Sequence, residues 1–134
     1  MGRQEAIVCV DDEVVILMAL KMELARHFKG RFRTEIALNA EEALRLIEVL
    51  DSENVRVTVM LTDWLMPGMS GDQLIARVKH THPDIRCILV SGQVDEPAIE
   101  EAKLNPLLDA FIRKPWRNGQ LIESVSRCVG AECT

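Results

Sequence analysis

One apolar run in the middle of the chain is followed at once by an acid and a turn-rich loop. Residues 57–62 read Val-Thr-Val-Met-Leu-Thr, and Asp63 ends the run. A run this apolar and β-branched is typical of a strand buried on both faces in a parallel sheet. The loop signals that come next are Pro67, Gly68, Ser70 and Gly71. Because ligands collect at the carboxyl ends of parallel strands, Asp63 is a candidate functional residue.

Four further apolar runs resemble this one, and stretches with helical periodicity separate them. The predicted strands are 6–10, 34–38, 57–63, 87–90 and 110–112. The first predicted helix places Leu17, Leu20, Leu24 and Phe28 on one face. Asn39, with Glu42 as a capping-box partner, is predicted to begin the second helix, and Asn118 the last, with a frayed tail after Gly130. Alternation of this kind predicts an α/β domain with a parallel sheet.

Size and composition narrow the functional classes. A chain of 134 residues predicts one domain over 1–134, and its net charge of −5 argues against nucleic-acid binding. The longest apolar run near the start, 14–20, is too short to span a bilayer, and we see no signal peptide. The four cysteines form no CxxC pair. These observations together predict a cytoplasmic protein with no membrane contact.

Polar residues that could take part in binding or catalysis follow four of the five predicted strands. They are Asp11 and Asp12, Asp63, Ser91, and Lys114. In a parallel sheet with right-handed crossovers all these strand ends share one edge, so we expect the side chains to lie close together. Each residue also has an ordinary structural interpretation, as helix-start charge, turn residue or surface lysine. Trp64 and Trp116 fit core packing and a site role equally well.

Taken in order, these motifs resemble those of response-regulator receiver domains of two-component signalling, the CheY-like family. The resemblance covers residues 7 to about 129 and depends on Asp11-Asp12, the segment 63–71, Ser91-Gly92 and Lys114-Pro115. It implies a flavodoxin-like, doubly wound sheet of five strands in the order 2-1-3-4-5 with five helices. It also implies a cis peptide bond at Lys114–Pro115.

The resemblance further implies a role for each site residue. Asp63 would accept a phosphoryl group from a sensor histidine kinase or a phosphotransfer protein, and Ser91 and Lys114 would contact that group. Mg²⁺, or Mn²⁺ in its place, would be bound by Asp12, Asp63 and the main-chain carbonyl of Leu65, with Asp11 acting through water. The protein would then catalyse only its own phosphorylation and dephosphorylation, and would not be an enzyme in the usual sense.

Elementary electrostatics is consistent with these roles. A carboxylate attacks a phosphoryl donor poorly because both are negatively charged, and a hard divalent cation held by carboxylates offsets that repulsion. Lys114 would add positive charge where negative charge accumulates. No general base is needed, because the attacking carboxylate is already ionised at neutral pH.

Phosphorylation is expected to act as a switch. The added charge of roughly −1.5 to −2 would draw Ser91 inward. The resemblance implies that Phe111, three residues before the lysine, would follow into the vacated space. The surface of helix 4, strand 5 and helix 5 would change shape and control a downstream protein or a C-terminal output domain. A homodimer is also compatible with the resemblance. The segment 104–109 departs from the family pattern and predicts a short or shifted fourth helix.

Three other functions compete with this one. A Mg²⁺-dependent aspartyl-phosphate phosphatase of the haloacid-dehalogenase type would need a second Asp two residues after the nucleophile, where this chain has Leu65. A nucleotide-binding protein would need a glycine-rich phosphate loop, and neither GxGxxG nor GxxxxGK[ST] occurs. A receiver-like interaction module that is not phosphorylated would have an incomplete set of acids, serine and lysine, whereas here the set is complete.

Overall fold

Five strands alternate with five helices along the whole described chain. The computed structural model describes residues 4–117 and 119–130. The strands are β1 (Gln4–Val10), β2 (Phe32–Ala37), β3 (Val55–Asp63), β4 (Arg86–Ser91) and β5 (Ala110–Arg113). The helices are α1 (Val14–Phe28), α2 (Ala40–Ser52), α3 (Gly71–Thr81), α4 (Glu96–Lys103) and α5 (Gln120–Val129).

The strands form one parallel sheet in the order β2-β1-β3-β4-β5. This is the flavodoxin-like order, and it confirms the predicted fold class. The pairing of β1 with β3 shifts register between Ala6 and Ile7, which leaves Thr58 as an extra residue on β3. The Thr58 hydroxyl donates a hydrogen bond to Glu5 Oε1 at 2.8 Å, so the polar side chain at the bulge is hydrogen-bonded within the protein.

Two apolar layers cover the sheet, one on each face. Along β1, Ala6, Val8 and Val10 belong to the layer beneath α2 and α3, whereas Ile7 and Cys9 belong to the layer beneath α1 and α5. This alternation is the period of two that a strand imposes on its side chains. Both sets are fully buried, which explains why β1 is apolar without interruption from Ala6 to Val10.

Helix ends follow the sequence signals with two differences. The Asn39 side chain accepts the Glu42 N–H at 2.8 Å, as predicted, but the Glu42 carboxylate accepts the N–H of Leu38 rather than that of Asn39. The unpredicted partner at α3 is Gln73, whose Oε1 accepts the N–H of Ser70 at 3.1 Å. Helix α4 has only eight residues, as the segment after it predicted. The predicted cap Asn118 and the tail after 130 lie outside the described residues.

Helix α1 is apolar on two opposite faces. Leu17, Leu20 and Leu24 are buried against the sheet. On the outer side Val15 is 79% exposed and Met22 is 60% exposed.

No helix in the described ranges has the length and apolarity that crossing a bilayer requires.

Gly71 begins α3 where that helix touches the end of β3. Its N–H donates to the carbonyl of Trp64 at 2.7 Å, and a Cβ added at Gly71 would lie 2.0 Å from the carbonyl oxygen of Asp63. No side chain fits at that distance, so only glycine lets the loop after Asp63 fold back this closely.

We therefore expect Gly71→Ala to lower the free energy of unfolding by at least about 3 kcal/mol, because backbone must move to admit the methyl group. Urea denaturation measures the loss. Gly30→Ala is the matched control: Gly30 has a positive φ of 85° but open space around its Cβ position. It should cost only the left-handed strain of about 1–2 kcal/mol. Equal losses in the two variants would contradict this account.

Candidate functional site: three carboxylates and a lysine at one sheet edge

The predicted acids and the lysine meet at the carboxyl end of the sheet. Lys114 Nζ lies 2.7 Å from Asp11 Oδ2 and 3.3 Å from Asp63 Oδ1. One carboxylate oxygen from each of Asp11, Asp12 and Asp63 lies within 4.8 Å of the other two. Asp11 and Lys114 are 103 positions apart along the chain. They meet because the carboxyl ends of the parallel strands β1, β3 and β5 lie at the same edge of the sheet.

Asp11 is the most deeply placed of the three acids. It is 1% exposed, and its Oδ1 accepts the N–H of Glu13 at 2.9 Å while Oδ2 pairs with Lys114. Its own N–H donates to the carbonyl of Ala37 at the end of β2. Asp12 is exposed at the mouth of the cluster. Both carboxylate oxygens of Asp11 therefore have protein partners, which a buried charge requires.

Asp63 ends β3 and is 8% exposed. Its Oδ1 accepts the N–H of Trp64 at 2.9 Å. Burial and then the neighbouring charge of Asp11 raise the pKa of Asp63 above its ordinary value, and Lys114 and the Trp64 N–H offset only part of this effect. Asp63 is thus a carboxylate whose negative charge is only partly compensated by the protein.

Lys114 supplies the positive charge of the cluster. Burial lowers the pKa of Lys114. The hydrogen bond with Asp11 and the charges of Asp63 and Asp11 together raise it by more than burial lowers it, so the net pKa lies above the ordinary value. The ammonium is therefore retained at neutral pH. The Lys114 side chain is 12% exposed. The backbone N–H of Lys114 donates to the Ser91 carbonyl at 2.9 Å, which fixes the end of β5 against β4.

The cluster has the chemistry of a magnesium site. Three carboxylates against one ammonium leave excess negative charge, and Mg²⁺ prefers carboxylate oxygens, of which it uses few. Asp11, Asp12 and Asp63 are the residues that fit such an ion. Leu65, whose main-chain carbonyl the resemblance assigns as a ligand, lies in the loop two residues past Asp63 with its side chain 62% exposed. The individual ligand assignments stay predictions.

Ser91 is the last residue of β4, and Phe111 lies on the neighbouring strand β5. Ser91 is 2% exposed, and its Oγ accepts the N–H of Gln93 at 3.0 Å. Phe111 on β5 is partly buried against the layer beneath α2 and α3. Its ring meets the Trp64 ring edge-on, with centroids 6.4 Å apart. The structure therefore connects Phe111 to the site through Trp64, the residue directly after Asp63.

Two contacts near the site were not predicted, although Glu13 directly follows the acidic pair Asp11-Asp12 in the sequence. The Glu13 carboxylate lies 4.0 Å from Lys114 Nζ, and the Trp116 indole N–H donates to Glu23 Oε1 at 3.0 Å. Trp116 packs against the layer beneath α1 and α5, and Trp64 against the opposite layer. The open question about the two tryptophans is thus answered in part: both cover core, and both also make a polar contact at or beside the site.

Fold and site together define a flavodoxin-like α/β domain whose strand ends collect three carboxylates and a lysine. The family profile described as response regulator receiver domain matches residues 7–126. The chain belongs to this family, as the sequence motifs predicted, and so to the proteins of two-component signalling.

Curated relatives and solved structures agree with this membership. The hydrogenase transcriptional regulatory protein HoxA of Cupriavidus necator is 30% identical over 97% of this chain, which spans 25% of HoxA. The transcriptional regulatory protein FixJ of Rhizobium meliloti is 30% identical over 88% of this chain, which spans 53% of FixJ. The chain therefore covers about a quarter to a half of the length of these relatives.

Two solved structures show how far the likeness extends in space. The structure of FixJ-N has a TM-score of 0.72 at 29% identity and covers 98% of this chain and 97% of its own. The response regulator TrrA of Thermotoga maritima, solved in complex with Mg²⁺ and BeF, has a TM-score of 0.74 at 25% identity. It covers 93% of this chain and 98% of its own.

The raised pKa of Asp63 has a consequence for stability. Below the unfolded pKa the carboxyl is protonated in both states and does not affect stability. As pH rises from the unfolded pKa to the higher folded pKa, the unfolded chain ionises first and the native state is destabilised, and above the folded pKa this loss is constant. We therefore expect Asp63→Asn to raise the free energy of unfolding at pH 7 in EDTA, and the gain to vanish below the unfolded pKa. Denaturant titrations at several pH values measure it.

Asp109 is a control of opposite sign. Burial raises the pKa of Asp109. The hydrogen bonds from the Cys87 N–H at 2.7 Å and from Lys79 at 3.0 Å together lower it by more than burial raises it, so the net pKa is depressed. Its contribution to stability is present above the unfolded pKa and is lost as pH falls through the folded pKa. Asp109→Asn should therefore destabilise the protein at pH 7. A loss of stability in both variants would contradict the sign assigned to Asp63.

Proposed function

We propose that this domain receives a phosphoryl group on Asp63 from the phosphohistidine of a sensor histidine kinase or a phosphotransfer protein, with Mg²⁺ as cofactor. The observation that supports this most directly is the placement of the Asp63 carboxylate 3.3 Å from the Lys114 ammonium, inside a cluster of three acids. Anion, cation and candidate metal ligands are thus arranged around one carboxylate.

The protein's part in the transfer is mainly positioning and electrostatics. The described contacts of Asp63, from Trp64 N–H and Lys114, both fall on Oδ1, which leaves Oδ2 as the proposed nucleophile. The donor imidazole is protonated on its other ring nitrogen, so that it leaves as neutral imidazole when its bond to phosphorus breaks and the bond from phosphorus to Oδ2 forms. A bound Mg²⁺ supplies Lewis-acid stabilisation of the phosphoryl oxygens. Lys114 turns toward those oxygens, and Ser91 donates a hydrogen bond to them.

A protein donor fits the surroundings of the site better than a small substrate does. Exposed apolar side chains lie on the elements that frame the acids: Val14 is 55% exposed, Val15 79%, Leu38 42% and Leu65 62%. Apolar patches beside a polar site are typical of protein contacts. A phosphatase acting on small phosphomonoesters would gain nothing from them, and its second aspartate is replaced by Leu65.

Phosphorylation then acts as a switch between two populated states. Ser91 leaves its hydrogen bond with Gln93 to bind the phosphoryl group, and Phe111 moves with it. Phe111 carries no hydroxyl, so its inward state depends on packing, in which the Trp64 ring takes part. Amide chemical shifts from Ser91 to Phe111 that stay unchanged on phosphorylation would contradict this switch.

The switched surface of α4, β5 and α5 acts on a downstream partner. HoxA and FixJ are transcriptional regulators about four and two times as long as this chain, which is consistent with a C-terminal output domain or a separate target protein. Homodimerisation through the same surface is compatible with both arrangements. The domain itself binds neither nucleic acid nor membrane, acts in the cytoplasm, and turns over no substrate other than its own phosphoryl group.

Direct labelling tests the proposal. The protein is incubated with acetyl phosphate and Mg²⁺, and intact-mass spectrometry follows the modification. We expect one phosphoryl group per chain, no labelling of Asp63→Asn, and labelling of the wild type that disappears with EDTA. Turnover of a generic phosphomonoester without stoichiometric labelling would instead favour the phosphatase.

The exposed side chain of Val15 tests the protein-donor assignment. Val15→Glu should slow phosphotransfer from a phosphorylated histidine phosphotransfer protein about tenfold or more, because a charge replaces apolar contact area. Labelling by acetyl phosphate should stay within about twofold of the wild type, because that donor makes no such contact. Val49→Glu is the matched control, since Val49 is 50% exposed near the end of α2, away from the acids. Equal slowing with both donors would contradict the assignment.

A further inference from the structure

The loop that carries Lys114 is joined to α1 by a side-chain hydrogen bond. The indole N–H of Trp116, two residues after Lys114, donates to Glu23 Oε1 at 3.0 Å. Glu23 precedes the buried Leu24 on α1, and the Trp116 ring packs partly buried against the layer beneath α1 and α5. We propose that the Trp116–Glu23 hydrogen bond places Lys114 for its contact with the phosphoryl group, so that Trp116 and Glu23 are positioning residues.

Lys114 is the first residue past β5, so the position of its side chain depends on the loop as well as on the strand. Strand β5 has four residues and pairs on one side only, with β4. The backbone bond from Lys114 N–H to Ser91 holds the start of the loop, and the bond from Arg117 N–H to Gln120 Oε1 joins its end to α5. Neither bond fixes the loop relative to the helix that follows Asp11 and Asp12.

The Trp116–Glu23 bond makes that connection. Helix α1 begins three residues after Asp11, so we expect a movement of the loop away from α1 to change the distance from Lys114 Nζ to the acids as well. The acceptor is a carboxylate in a partly buried setting, where a hydrogen bond from a neutral donor is strengthened. Within the described chain, this bond therefore links the element that bears the cation to the element that follows the acidic pair.

The lysine needs this accuracy because its effect falls off with distance. Charge stabilisation in phosphoryl transfer depends on donors set in place before the reaction, and a displacement of about 1 Å can cost up to about a hundredfold in rate. The inference rests on the proposed function of Lys114, but the position of Lys114 is measurable without any phosphoryl donor.

The first experiment measures phosphorylation rates with acetyl phosphate and Mg²⁺ over a range of donor concentrations. Glu23→Leu removes the acceptor, and Trp116→Phe removes the donor while keeping a ring. We expect each to lower the maximal labelling rate about tenfold. Glu23→Gln keeps an acceptor oxygen and should stay within about twofold of the wild type. Urea denaturation identifies a variant that no longer folds, in which case the partly exposed Glu23 position carries the test.

The same changes in a Lys114→Ala background separate positioning from general stability. If the bond acts through Lys114, Glu23→Leu should cause no further slowing once the ammonium is absent. Equal slowing in both backgrounds, or no slowing of the folded single variants, overturns the proposal.

The second experiment is independent of phosphorylation. A crystal structure of the Glu23→Leu protein should show Lys114 Nζ displaced from Asp11 and Asp63. An unmoved Nζ overturns the positioning role even where labelling is slow. Conversely, a displaced Nζ in a protein that acetyl phosphate never labels supports the positioning role while contradicting the proposed function, so the two failures are distinguishable.

Discussion

The ion pairs of Lys114 with Asp11 and Asp63 are the interaction on which the site depends. Three carboxylates packed within 4.8 Å repel one another, and two of them have left most of their hydration shell. One ammonium offsets part of this repulsion and holds the ends of β1, β3 and β5 together. Burial and then the charge of Asp11 outweigh the effect of Lys114, so the pKa of Asp63 stays above its ordinary value. A site left with surplus negative charge favours a divalent cation.

The parallel sheet makes this accumulation of charge tolerable. Each acid or base stands at or next to a strand end, where backbone N–H groups and the Lys114 ammonium are available as partners for the buried carboxylates. The strand order brings β1 and β3 side by side, which places Asp11 and Asp63 together without any long-range sequence motif. Gly71 completes the arrangement by letting α3 start against the backbone of Asp63.

Much of this was predictable from the sequence because the information is local. An apolar run that ends at Asp63, Ser91 or Lys114 specifies both the strand and the residue at its carboxyl end. The pairing order is different, since local patterns do not specify which strands are neighbours; it came from the family resemblance. The Thr58 bulge, the Glu42 contact with Leu38 and the Trp116–Glu23 bond could not be predicted. The last of these joins residues 93 positions apart with no periodicity to indicate it.

The two tryptophans give the molecule intrinsic fluorescence that originates beside the site. The sequence contains no tyrosine and only these two indoles. Trp64 binds the Asp63 carboxylate through its backbone N–H, and Trp116 stands two residues beyond Lys114 with its ring nitrogen on Glu23. Tryptophan fluorescence from this protein therefore originates only from the two flanks of the acidic edge. We expect its intensity and wavelength to change with the ionic state of that edge, with no dye attached.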